Sequence, residues 1–190
     1  MTPQARLEAV ESGLTPATDG WFVVNVDDAA WMVNDAFGAR CVFETDGRVA
    51  RERPELDVHQ FADVGFRLAV LEPGRPSGLY HAESMQESFL VLSGECVLLV
   101  EGEERPLRAW DFVHCPAGTQ HTFIGAGNGP CVILMTGGRG PSRTLLYPPS
   151  ELARRHGAAA DEETSSPAEA YARFAHWRLA RPDGDGLPWS

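Results

Sequence analysis

From about residue 20 the chain is written in short apolar runs broken by Gly, Pro and Asp, the pattern of an antiparallel β-protein. Trp21 to Val26, Arg40 to Phe43, Gly65 to Glu72, Ser88 to Leu92, Cys96 to Glu101, Asp111 to His114, Thr122 to Ile124 and Cys131 to Thr136 read as strands. Strands in that number within one span predict a sandwich or barrel. Ser93-Gly94, Glu101-Gly102 and Ala117-Gly118 supply turn chemistry between them. The glycine-rich tip Gly125 to Gly129 lacks the helix and the GK[ST] ending of a phosphate loop, so it predicts a hairpin turn.

After Gly140 the text changes. Pro148-Pro149 opens a short helix through Arg155 that Gly157 can end. Ser166, Pro167 and Glu169 form a capping box for a second helix, along which Tyr171, Phe174 and Trp177 recur every three residues. That apolar stripe predicts packing of the tail on the barrel or on a subunit partner rather than a ligand box. The organisation expected is one all-β domain with short C-terminal helices. Residues 1–61 form an N-terminal extension whose strands add to the sheets, 62–140 the barrel, and 141–190 a tail with two short helices.

Charge narrows the function. Sixteen basic residues against 27 acidic ones give a formal net charge of −11, which repels phosphate backbones and anionic lipid surfaces. Neither nucleic acid nor a membrane is expected as partner. Every basic residue is Arg, which removes lysine Schiff bases, lysine-bound pyridoxal phosphate and the P-loop lysine. Met1 to Val10 carry Arg6 and Glu8 and no signal-type apolar run, so a cytoplasmic protein is expected. Cys41, Cys96, Cys115 and Cys131 are scattered and read as reduced thiols.

The chemistry concentrates in two segments. In the first, His81, Glu83, Glu87, Phe89 and Val91 stand at odd positions of extended chain and share one face if the turn before Glu87 keeps phase. In the second, Trp110 to His114 reads as a strand, Pro116-Ala-Gly118 as a turn, and His121 opens the next strand. A carboxylate buried without a partner costs several kcal/mol, and a buried neutral imidazole offers a free nitrogen. A divalent cation resolves both.

These segments resemble the two motifs of the cupin superfamily. The first runs Gly74, six residues, His81-x-Glu83, three residues, Glu87, six residues, Gly94. The second runs Trp110, five residues, Pro116-x-Gly118, two residues, His121, three residues, Gly125. Three positions depart from the family pattern: Glu83 for the second histidine, Trp110 for Gly, and Gly125 for Asn. The resemblance implies a cupin-type β-barrel (a jelly roll) holding one divalent metal per chain, Fe, Mn, Zn or Ni, on His81, Glu87 and His121. Glu83 either joins as a fourth metal ligand or stays behind the ligands, where it could act as a catalytic base through water. The ligand set resembles that of ring-cleaving dioxygenases, so a dioxygenase-type oxidoreductase acting on a small organic molecule is the expected function. A metal-dependent isomerase or lyase, or a non-catalytic cupin binding a small ligand or metal, is the alternative. Sugar phosphates are disfavoured because the arginines look scattered. Tyr80 is expected to face outward into a homodimer interface, with the N-terminal extension and C-terminal helices covering a sheet edge there.

Overall fold

A computed structural model describes residues 1–189. The strands β1 (Leu7–Val10) and β2 (Gly13–Pro16) pair as a separate hairpin, followed by β3 (Trp31–Asn34) and β4 (Gly38–Val42). Helix α1 (Gly47–Glu52), capped by Asp46, leads to β5 (Val64–Leu71), β6 (Ala82–Glu83), β7 (Glu87–Ser93) and β8 (Glu95–Val100). Then come β9 (Glu103–Arg108), β10 (Phe112–Cys115), β11 (His121–Ala126), β12 (Cys131–Gly138) and β13 (Leu145–Leu146). The tail adds α2 (Glu151–Arg155), α3 (Pro167–Ala170) and β14 (Arg178–Leu179).

Two antiparallel sheets make the body. One has seven strands in the order β10-β7-β12-β5-β4-β3-β14, the other three in the order β11-β8-β9. The chain passes from one sheet to the other between β7 and β8, β9 and β10, β10 and β11, and β11 and β12, as a jelly roll requires. Between the sheets lie Leu71, Phe89, Val91, Leu98, Phe123 and Ile133, all buried. Trp31, Cys41, Leu68, Val70 and Val132 bury the opposite face of the large sheet, where Trp189 stacks on Trp31 at 5.5 Å. A ring the size of Trp31, fully withdrawn from water, contributes about 2–3 kcal/mol by area alone.

Two glycines of the motifs have a steric reason. A Cβ on Gly94, where φ is +74°, would sit 2.4 Å from the Pro130 carbonyl oxygen. One on Gly125 would sit 2.2 Å from that of Glu72. Both are places where β-strand backbones cross closely, and no side chain fits.

Several sequence expectations change. Trp21 to Val26 joins no sheet, meeting only a single bridge between Gln4 and Trp21, and Trp21 and Val23 are exposed. Alternation made the segment extended, but no neighbouring strand lies along it. The Gly125–Gly129 tip is not a hairpin, because β11 and β12 belong to different sheets. The second C-terminal helix ends at Ala170. Beyond it Tyr171, Phe174 and Trp177 surround Phe37 at centroid distances of 5.3, 4.8 and 6.5 Å, so the period of three belongs to a chain wound over one ring. Tyr80 points away from the barrel interior but into its own tail, buried beside Ala153, Ala158 and Ala159, with its hydroxyl accepting from Gly102 N at 3.2 Å. It is therefore not available to an interface.

Candidate metal centre

The two motifs meet at a pair of backbone hydrogen bonds. His81 N–H donates to the His121 carbonyl at 3.2 Å and His121 N–H to the His81 carbonyl at 2.9 Å, so the two histidines face each other across an antiparallel bridge. Their rings lie 5.1 Å apart. Each ring is turned by the backbone: His81 Nδ1 is 2.8 Å from the Leu79 carbonyl and His121 Nδ1 is 3.0 Å from that of Thr119. A carbonyl only accepts, so both rings carry their proton on Nδ1 and present the Nε2 lone pair inward.

Glu87, at the start of β7, completes the group. Its Oε2 lies 3.3 Å from His121 Nε2, and one ligand atom each from His81, Glu87 and His121 all fall within 4.8 Å of one another. Glu87 and His121 are buried. Burial, then the neighbouring Glu83 charge, pushes the Glu87 carboxyl up, while burial, then His81, pulls the His121 imidazole down to about 4. Both shifts describe donors held in a dry place without a counterion. A divalent cation between two imidazole nitrogens and a carboxylate relieves both, so the residues present fit the metal that the motifs imply. Around them, Phe89 packs 5.1 Å from the His121 ring and Tyr147 stacks 5.7 Å from that of His81.

Glu83 is placed differently. It is buried, but Arg143 grips it with a two-pronged fork, Nε to Oε2 at 2.7 Å and Nη2 to Oε1, and its nearest oxygen is 3.7 Å from His81 Nε2. It lies outside the three-residue group. Burial alone would raise its pKa; His81 and the Arg143 fork reverse that and hold the carboxyl at about 2. A carboxylate so acidic and so fully engaged is a poor base at neutral pH, and its placement gives it the task of holding Arg143.

A cavity of about 790 Å³ opens beside the triad and reaches it through Glu87. Arg48, Arg67, Arg139 and Arg143 line it, so the arginines that look scattered in the sequence are gathered here. Sequence reasoning missed Arg67, Arg143 and Tyr147 as site residues. Arg67 had a signal: it keeps phase with Ala69 and Leu71, which face the barrel interior. Arg143 and Tyr147 come from a tail whose route no local pattern encodes. Cys115 is in the barrel core, where burial pushes its thiol up to about 11, and His114 faces out to Ser88.

The tail also braces the metal group. Tyr171 Oη accepts the Leu79 N–H at 2.9 Å, and Leu79 is the residue whose carbonyl orients His81.

An interleaved double sheet with two inward histidines and a glutamate at its mouth is a jelly roll of the cupin type. Residues 67–137 match the cupin domain family. Among solved structures, a sugar phosphate isomerase of the cupin superfamily from Silicibacter pomeroyi is similar over 87% of this chain and 96% of its own, at 20% identity and a TM-score of 0.52. A provisionally assigned sugar phosphate isomerase of Acidithiobacillus ferrooxidans shares 30% identity over 44% of this chain, with a TM-score of 0.42; the chain spans only 55% of that protein's length. The polyketide cyclase RemF of Streptomyces resistomycificus is 15% identical over 65% of this chain and 83% of its own, with a TM-score of 0.49. No curated protein matches the chain. Among the described residues no helix is long and apolar enough to cross a membrane.

Proposed function

We propose that this protein is a metal-dependent cupin enzyme that holds one divalent ion on His81, Glu87 and His121 and acts as a dioxygenase-type oxidoreductase on a small organic molecule. The observation that carries the reading is the convergence of two Nε2 lone pairs and one carboxylate at the edge of a cavity of metabolite size. A bound divalent ion supplies Lewis acidity there, and iron or manganese adds one-electron chemistry. The chain's own contribution is to fix both imidazole tautomers through Leu79 and Thr119, and to wall the site with Phe89 and Tyr147. His81, Glu87 and His121 would hold the ion with three protein donors, which would leave room for a substrate to reach it.

A second reading, a metal-dependent isomerase or lyase, uses the same ligands without O₂. The cavity arginine that lacks a carboxylate partner, Arg67, favours it, since it supplies an anion-binding group that such substrates need. Oxygen uptake by the Fe(II)-loaded protein across catechols, thiols and diketones separates the two. Uptake with substrate consumption supports the oxygenase; conversion under nitrogen supports the isomerase or lyase. Metal retention with neither reaction leaves a binding protein.

A further inference from the structure

Arg67 sits on β5 opposite Met135 of β12, on the strand face that Ala69 and Leu71 extend into the barrel. Its side chain therefore enters the cavity beside the triad. The other three cavity arginines are neutralised where they stand: Arg48 by Asp46 at 2.7 Å, Arg139 by Glu44, and Arg143 by Glu83. Among the described residues Arg67 has no ion-pair or hydrogen-bond partner, and its Nε is buried without one. A desolvated guanidinium N–H left unpaired is costly to keep, and folding alone gives no reason to keep it.

The cavity's other charges are four carboxylates, Glu44, Asp46, Glu83 and Glu87. Three of them answer the three paired arginines, and Glu87 belongs to the triad. Once Glu87 is engaged by a cation, Arg67 is the cavity's unanswered positive charge. Its neighbours on the same face are Gly65 and Gly137, which carry no side chain of their own; the Arg139 guanidinium lies over Gly65, and Gly137 lies opposite Glu87 on one side and Gly65 on the other. Arg67 and Glu87 are two strands apart, about 10 Å of sheet, much of which an arginine side chain spans.

We infer that Arg67 is the anchor for an anionic group of the substrate, a carboxylate or a phosphate, a few bonds from the part that meets the triad. The inference rests on the metal-site reading and narrows its substrate to small anions. Arg67's fork donates to two oxygens of either group, whereas an uncharged amide isostere offers only one acceptor oxygen and turns its own N–H toward the fork.

The test is calorimetric titration of wild type, Arg67→Met and Arg67→Lys, each metal-free and Mn(II)-loaded, with inorganic phosphate, succinate and neutral succinamide. Wild type is expected to bind phosphate or succinate at least tenfold more tightly than Arg67→Met does, with Arg67→Lys between, and to discriminate against succinamide. Phosphate alone points to a phosphorylated substrate, succinate alone to a carboxylate. Mn(II) uptake is expected to be equal in all three proteins. Because an unpaired buried charge is removed, Arg67→Met is expected to melt about 2–4 °C higher. Equal anion affinity in wild type and Arg67→Met, no binding of either anion by wild type, or a lower melting temperature for Arg67→Met overturns the inference. A wild type that takes up no Mn(II) fails the metal-site reading instead, and the metal-free titrations still decide the role of Arg67.

Discussion

Removing Arg143 tests whether Glu83 is a structural counter-ion or a hidden ligand. In wild type the Glu83 carboxylate is 6% exposed and receives two charged hydrogen bonds from Arg143, itself 40% exposed. Breaking a buried pair from one side costs about 3–5 kcal/mol, and the exposure of Arg143 brings this down to about 2–3. Arg143→Ala in the metal-free protein is therefore expected to melt about 4–12 °C below wild type. The double variant Glu83→Gln/Arg143→Ala is expected to recover most of that loss, since no uncompensated charge remains. Scanning calorimetry of the four proteins, with metal affinity measured alongside, closes the cycle. A melting temperature for Arg143→Ala within about 1 °C of wild type would refute the pair's role. Loss of stoichiometric metal in Glu83→Gln would show that Glu83 is a ligand after all.

His81→Ala and His121→Ala are each expected to lose stoichiometric metal by elemental analysis of protein prepared without a nickel column; retention in both would move the site elsewhere. The metal-free protein is expected to lose stability in two acid steps, followed by circular dichroism. The first comes as pH falls from about 6.5 to 4, because the unfolded chain takes up a proton that buried His121 refuses; the second comes as pH falls from about 4.5 to 2, as Glu83 loses its charge. Tyr171→Phe leaves the Leu79 N–H without its partner and is expected to weaken metal binding several-fold through His81, read by competition with a chelator; unchanged affinity would separate the tail from the site. The four cysteines are all buried, and burial pushes Cys41 up to about 12, so none is expected to react with a thiol reagent at pH 8 until denaturant is added. We also propose a homodimer in which the N-terminal extension and the C-terminal helices cover a sheet edge, so light scattering at micromolar concentration should give twice the chain mass, and a monomer would rule it out.

What the sequence makes legible follows physical locality. His81, Glu87 and His121 sit in strands whose alternation and turn spacing are set within a few residues, so their convergence could be read from the motif. Glu83 shares that pattern, but its partner lies 60 positions away, and no local periodicity reports a long-range ion pair. β9 escaped because Glu103, Glu104 and Arg105 carry no apolar face; the ladder with β8, not burial, makes it a strand. α1 escaped because it is a single capped turn burying only Val49. Trp110 was visible as a departure from the family's glycine, and its φ of +75° shows why glycine suits that place.

Of the body's four edge strands, β9 and β10 face opposite fates in a crowded solution. β9 closes the three-stranded sheet with acidic and basic side chains and Pro106, whose missing N–H denies an incoming strand a donor. β10 closes the seven-stranded sheet with no such guard and carries Phe112 outward. Backbone pairing with an incoming strand is therefore discouraged at β9 and unguarded at β10.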